Sequence, residues 1–198
     1  MKIIVFGNGN AGINVVQGII GSCQRKDVEI IYVYKYGYAI DWAGVRTKRF
    51  SDESDDEMDI FVKERGDLVI SSGWHKRMSD ELILNFECFN IHPSLLPKYR
   101  GILPIEFQLH FREKESGITI HRMDRRFDAG PICMQRAFSI EKIETVNEFV
   151  VSACRVTRKM IAEFIDNYPY YEAVAQNETE ATYFGEKDRV KLKKRGPD

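Results

Sequence analysis

The segment Phe89-Asn90-Ile91-His92-Pro93 sets an amide and an imidazole two residues apart. In an extended strand that spacing puts both side chains on one face. An amide N–H beside an imidazole can polarise a carbonyl and hold the negative oxygen that forms when a nucleophile attacks it. Taken singly, each residue also fits a satisfied polar position near a core. A carboxylate follows at Asp128, in the turn Phe127-Asp128-Ala129-Gly130-Pro131. Placed against His92, it would orient the ring and favour its charged form; alone, it reads as an ordinary turn residue. The run Gly7-Asn8-Gly9-Asn10-Ala11-Gly12 is the other candidate. A glycine turn feeding a helix offers free N–H groups and a positive dipole end to an anion. It serves equally well to pack helix on strand. The glycine spacing matches a dinucleotide-binding turn, but Tyr32–Tyr38 holds no Asp or Glu to take a ribose hydroxyl, which disfavours that use.

These residues need elements to carry them. Residues 2–6 form a short β-branched run, and Ile13 to Ile20 has helical apolar spacing. Further strands are predicted over 28–34, 67–71 and about 87–91, and a short helix capped by Ser79 over 79–86. Strand alternating with helix predicts an α/β fold: a Rossmann-like, doubly wound, mostly parallel sheet in a single domain. In such sheets ligands bind beyond the carboxyl ends of the strands, where Asn90 and His92 stand. The acidic stretch 51–59 reads as a loop and the start of a helix. A loop carrying Pro93, Pro97 and Gly101 leads to a helix near 105–114 and strands over 118–123 and 132–140. Thr145 and Glu148 form a capping box for a long helix over 146–165. On that helix Phe149, Ala153, Val156, Met160 and Phe164 share a face suited to core packing. The domain spans 1–184, and 185–198 is a polar basic tail. Its run Lys187 to Arg195 reads as solvated, with a phosphate-bearing partner as the alternative.

The chain has 198 residues, 43% hydrophobic and 30% charged, with a net charge of −1. That balance gives no case for bulk nucleic-acid binding or an acidic membrane surface. Cys23, Cys88, Cys133 and Cys154 form no CxxC pair, so neither a zinc site nor a redox dithiol is indicated. Scattered cysteines beside apolar neighbours fit free thiols in a reducing compartment. The run Ile3–Phe6 is too short for a signal peptide, and no apolar stretch reaches the roughly 20 residues of a membrane span. A cytoplasmic protein is expected.

Together these stretches resemble the folate-dependent formyltransferases. That family includes glycinamide ribonucleotide transformylase, methionyl-tRNA formyltransferase and the nucleotide-sugar N-formyltransferases. The likeness rests on Asn90-Ile91-His92-Pro93-Ser94-Leu95-Leu96-Pro97, Gly117-Ile118-Thr119-Ile120-His121 and Asp128-Ala129-Gly130-Pro131-Ile132. Weaker matches are Ser72-Gly73-Trp74, Gln176-Asn177-Glu178 and Ala181-Thr182-Tyr183-Phe184.

The resemblance implies a formyltransferase-type fold and transfer of a formyl group from 10-formyltetrahydrofolate to an amine, with no metal. It implies Asn90, His92 and Asp128 as the catalytic trio, with Asn90 and a protonated His92 holding the oxyanion. His75, Lys76, Arg77 and Met78 match the loop whose backbone recognises the pterin ring, and Phe127 is expected to line the same site. Gly9, Asn10 and Ala11 stand where glycinamide ribonucleotide transformylase holds its substrate phosphate, but lack that enzyme's Gly-Ser-Asn. Tyr99-Arg100-Gly101 is more similar to the tRNA and sugar enzymes, and the chain stops short of the tRNA enzyme's extra C-terminal domain. His121 matches a common Thr-x-His and reads as structural. A small phosphate-bearing amine, such as a nucleotide-linked amino sugar, is the expected acceptor. The reading admits a homodimer. The alternatives are hydrolysis of the formyl-folate, whose enzymes share the trio but carry an additional N-terminal domain, and a nucleotide-binding module without catalysis.

Overall fold

The computed structural model describes residues 1–22, 27–50, 55–74 and 76–192. A seven-stranded sheet runs in the order β3-β2-β1-β4-β5-β7-β8. Its strands are β1 (Lys2–Gly7), β2 (Glu29–Tyr34), β3 (Val45–Arg49), β4 (Leu68–Ser72), β5 (Glu87–His92), β7 (Glu115–Arg122) and β8 (Ile132–Ser139). From β3 to β5 every pairing is parallel, and β7 and β8 continue the sheet antiparallel. A short parallel pair, β6 (Arg100–Gly101) with β9 (Tyr183–Phe184), stands apart.

The parallel strands are buried on both faces, which explains why they read as continuous apolar runs. In β1, Ile3 and Val5 face a core shared with helices α1 (Gly9–Ile20) and α5 (Val146–Asn167). Ile4 and Phe6 face a second core, closed by α2 (Asp55–Arg65) and α3 (Asp80–Asn85). Helix α4 (Pro104–His110) stands at the side of the β6–β9 pair, where Phe107 stacks on Phe184 with ring centroids 4.1 Å apart.

Helix α5 follows its sequence pattern. Thr145 and Glu148 complete the capping box, and Phe149, Ala153, Met160 and Phe164 are buried. Helix α1 departs from expectation by starting at Gly9, so the residues read as a turn form its first turn. The turn itself is tight: a Cβ on Gly7 would lie 2.4 Å from Gly12 Cα. Asn8 does not cap the helix with its side chain. Its Oδ1 instead accepts from the N–H groups of Lys35 and Tyr36, at 3.0 and 2.9 Å, and its Nδ2 donates to the Gly73 carbonyl at 3.0 Å. Asn8 thereby ties together the turns after β1, β2 and β4.

Strand β3 was not expected. Its sequence Val-Arg-Thr-Lys-Arg is too charged to read as core, but an edge strand tolerates such residues because one side meets water. Helix α2 extends the acidic start further than expected, to Arg65; the remainder of that acidic stretch lies outside the described residues. The basic tail is folded as far as Leu192, through a 3-10 turn and the short helix α6 (Arg189–Leu192). Leu192 packs beside the Tyr99, Phe107 and Phe184 cluster. Residues 193–198 lie outside the described residues.

Gly18 gives a test of how α1 meets α5. A Cβ there would lie 2.8 Å from the Arg158 carbonyl oxygen and 2.8 Å from Ile161 Cγ2. Alanine would add about 1 kcal/mol of helix propensity, but overpacking costs about 1–3 kcal/mol. Gly18→Ala is therefore expected to lower the urea midpoint of unfolding, and an unchanged or raised midpoint would show that the two helices separate freely.

Candidate active site

Two residues of β5 and two of β7 face one another across an antiparallel pairing. The register sets Asn90 opposite His121 and His92 opposite Thr119. All four side chains lie on one face of the sheet because each pair is spaced by two along its strand. The loop between β7 and β8 brings Asp128 over this group. Gly130 permits the approach, since a Cβ there would lie 2.0 Å from the Arg122 carbonyl oxygen. Asp128 itself takes a left-handed backbone, φ 54°, uncommon for a residue with a side chain.

The Asp128 carboxylate is the hub. Oδ1 accepts from Asn90 Nδ2 at 3.1 Å and lies 3.5 Å from both His92 Nδ1 and His121 Nε2. Oδ2 accepts from the Gly101 N–H at 2.8 Å. Burial pushes its acidity the other way, but the two imidazoles and the Gly101 N–H outweigh it and hold the carboxyl well below the usual carboxylate range. It is a standing negative charge, 9% exposed.

The two imidazoles are held differently. His92 Nε2 lies 2.7 Å from the Tyr99 carbonyl oxygen, which can only accept, so this nitrogen carries the proton. His121 Nδ1 lies 2.8 Å from the Arg122 carbonyl, which fixes a proton there by the same reasoning. Its Nε2 stands 3.3 Å from Asn90 Nδ2 and 3.5 Å from Asp128 Oδ1. His121 thus belongs to the cluster around Asp128. The sequence signal was the shared period of two in Asn90-x-His92 and Thr119-x-His121, which became informative only through the register.

Burial pulls the His92 imidazole below its ordinary range, against the opposite pull of Asp128 and the Tyr99 carbonyl. Burial and the Asp128 charge thus act on this ring in opposite directions, with Nδ1 the nitrogen that faces the carboxylate.

A second layer of buried polar contacts fixes the loop that follows His92. Thr119 Oγ1 donates to the Ser94 carbonyl at 2.6 Å and accepts from Gln135 Nε2 at 2.8 Å. Gln108 Nε2 donates to the Pro93 carbonyl at 2.8 Å, and Ser116 Oγ donates to Gln108 Oε1 at 2.6 Å. Ser94 Oγ donates to the Lys98 carbonyl at 2.7 Å. Tyr99, at φ 62°, is thereby aimed to offer its carbonyl to His92.

The remaining site candidates fall in three places. Gly9, Asn10 and Ala11 open α1 near the Gly73 turn, where a Cβ on Gly73 would approach Ala11 Cβ to 3.0 Å. Gly37 lies close over the first of them: a Cβ on it would be 3.1 Å from the Gly9 nitrogen. Arg77 Nη2 donates to the Arg125 carbonyl at 3.0 Å, so the segment around Lys76 and Arg77 touches the loop that carries Phe127. Phe127 is exposed and lines an open groove of about 550 Å³ with Arg100, Arg125, Arg126, Glu178 and Tyr183. Met78 is 3% exposed and packs in the core with Val69 and Leu82, so its side chain is not available to a ligand. His75 lies outside the described residues.

The formyl transferase family model matches residues 42–165, and the chain belongs to that family. The matched span contains Asn90, His92, His121 and Asp128. A methionyl-tRNA formyltransferase of Thermotoga neapolitana is 37% identical over 121 residues, covering 59% of this chain and 39% of that protein. One from Ehrlichia ruminantium is 35% identical over 101 residues, 51% of this chain and 33% of that protein. The alignments thus span about two fifths or less of these relatives' length.

Two solved structures share the fold. The N-formyltransferase of Helicobacter canadensis, in complex with folinic acid and dTDP-3-aminofucose, has a TM-score of 0.73 at 20% identity, covering 95% of this chain and 72% of that one. Glycinamide ribonucleotide transformylase 1 of Symbiobacterium toebii has a TM-score of 0.72 at 20% identity, covering 89% and 94%. Among the described residues no helix is long and apolar enough to cross a membrane.

Thr119 is fully buried, and its hydroxyl joins the loop after β5 to Gln135 of β8. Thr119→Val keeps its shape and strands the partners of its hydroxyl, which is expected to cost about 1–3 kcal/mol of stability. Urea titration checks this; a loss under about 0.5 kcal/mol, within the range of neutral surface changes, would mean water takes over the contacts.

Proposed function

We propose that the protein transfers a formyl group from 10-formyltetrahydrofolate to an amine, with Asn90, His92 and Asp128 as its reacting-centre residues. The observation that carries this reading is the convergence of Asn90, His92 and His121 on the largely buried carboxylate of Asp128, at the carboxyl end of β5. Membership in the formyl transferase family supports it.

The neutral amine attacks the formyl carbon, and the carbonyl oxygen becomes negative. Asn90 Nδ2 turns one N–H from its long contacts of 3.1 and 3.3 Å to that oxygen. His92 Nδ1 takes the proton that the amine must lose. The imidazolium so formed is stabilised by Asp128, and the same proton goes on to the leaving folate nitrogen as the tetrahedral centre collapses. Atoms and charge balance: the acceptor gains formyl and loses hydrogen, and the donor does the reverse.

The donor site fits the chain's own residues on one observation: the contact of Arg77 with Arg125 joins the 76–78 segment to the Phe127 loop. Lys76 and Arg77, the backbone of Met78 and the exposed ring of Phe127 would hold it, with His75 alongside in sequence. For the acceptor we favour a nucleotide-linked amino sugar. The opening turn of α1 at Gly9, Asn10 and Ala11 presents backbone N–H groups suited to a phosphate. The reaction is one of the cytoplasm, where such donors and acceptors are made. The names of the sequence relatives favour methionyl-tRNA as the competing acceptor.

The test is a panel incubated with 10-formyltetrahydrofolate, following release of tetrahydrofolate: a nucleotide-linked amino sugar, the free amino sugar, methionyl-tRNA and buffer alone. Turnover with the nucleotide-linked sugar above the free sugar is the expected result. Turnover in buffer alone at the same rate would mean hydrolysis, and formylated tRNA alone would replace the acceptor. Asn90→Ala and His92→Ala are each expected to lower turnover by about 10²–10³.

The pH profile separates the two roles of His92. As a base, it must be neutral, so kcat falls as pH drops through its pKa, below the ordinary imidazole range. A profile in which activity falls as pH rises through that region would assign His92 the role of a standing imidazolium instead.

A further inference from the structure

We infer that Gln176 is a positioning residue that holds Asp128 in the conformation its chemistry needs, an inference that rests on the formyl-transfer reading above. Gln176 lies outside the residues 42–165 that the family model matches, in a stretch whose likeness to the family is weaker.

Asp128 sits at φ 54°, a backbone that is unfavourable for a residue with a side chain. Something must hold it there. The Gln176 Nε2 group donates to two carbonyls of that turn, to Asp128 O at 2.8 Å and to Gly130 O at 2.7 Å. Its Oε1 accepts from Arg100 Nε at 3.0 Å and from Arg100 Nη2 at 2.8 Å. Arg100 is 5% exposed, and its remaining donors go to Glu178, at 3.0 and 3.1 Å.

The residue after Arg100 closes the loop. The Gly101 N–H donates to Asp128 Oδ2 at 2.8 Å, so the segment that anchors Gln176 also grips the carboxylate. Asp128 is held at its side chain by Gly101 and at its backbone by Gln176, and both holds run through Arg100. Pairing of β6 with β9 fixes this segment, since the Arg100 N–H donates to the Thr182 carbonyl at 2.9 Å.

Only a carboxamide meets both demands. A carboxylate would accept from Arg100 but offer no N–H to the carbonyls. A lysine would donate to the carbonyls but repel Arg100. Asparagine is one methylene too short to span from Arg100 to the turn as Gln176 does. Without the clamp the turn relaxes, and the carboxylate drifts from Asn90, His92 and His121. The 76–78 segment and Phe127 are untouched by Gln176 contacts, so the loss falls on turnover and not on substrate affinity.

The experiment compares the wild-type chain with Gln176→Met and Gln176→Glu in formyl transfer, and follows the His92 ring by NMR titration of labelled histidine. The charged and polar groups facing His92 are Asp128 from the β7–β8 loop, His121 and Thr119 from β7, and the Tyr99 carbonyl with Arg100 beyond it. Gln176→Met removes the hold on Asp128, and with it the acceptor of two Arg100 donors, without adding charge. Its kcat is expected to fall about 10- to 100-fold, as a misplaced group costs, with KM values within about twofold. The His92 midpoint is expected to fall as Asp128 recedes.

A purely structural role would lower stability and leave kcat of the folded fraction and the His92 midpoint unchanged, and that result overturns the inference. If Gln176→Met does not fold, Gln176→Glu decides: it keeps the Arg100 anchor and removes both donors, so a wild-type kcat there overturns the inference. If the wild-type chain transfers no formyl group to any acceptor, the functional reading falls, and the His92 titration alone decides whether the clamp exists.

Discussion

The structure around the site is organised by one constraint: the ionised carboxylate of Asp128 is almost out of water. An unpaired charge in that position costs several kcal/mol, and partners must come to it. They come from separate parts of the chain. Asn90 is supplied by β5, His121 by β7 and the Gly101 N–H by the short β6 strand. Each element reaches Asp128 only because of how it packs elsewhere. The charge is therefore a point at which the sheet, the proline-rich loop and the C-terminal segment must agree.

The sheet supplies the meeting place by changing direction. β5 is the last parallel strand, and its next neighbour, β7, runs antiparallel. On the parallel side, residues alternate between two helix-covered cores and leave little room for polar side chains. At the junction, the α2–α3 side of β5 passes from Cys88 in the core to Asn90 and His92 at the open strand end. An antiparallel partner then places Thr119 and His121 directly opposite.

Buried polar groups close to the reacting centre are satisfied in series. Ser116 supports Gln108, Gln108 and Thr119 support the loop carbonyls, and that loop turns the Tyr99 carbonyl toward His92. Such networks rigidify a site when every member is paired. The left-handed backbone of Tyr99 ends the loop so held, and that of Asp128 lies in the β7–β8 loop that Gln176 holds. Strained backbones of this kind persist where the surroundings over-determine them.

Much of the fold was legible in the sequence because periodicity is local. The apolar runs of β1, β2, β4 and β5 and the capping box of α5 each identify their element without reference to the rest of the chain. β3 was hidden by its charge, and the start of α1 was hidden by glycines that usually mark a turn. Asn90, His92 and Asp128 were legible as residue types at telling positions, and motif resemblance joined them. The inclusion of His121, the burial of the Met78 side chain and the desolvation of His92 were decided by tertiary structure. Each depends on a strand register or a loop path that brings together residues far apart in sequence. The chain by itself carries the chemical groups and the local geometry; only packing sets which carboxylate faces which imidazole, and how little water remains between them.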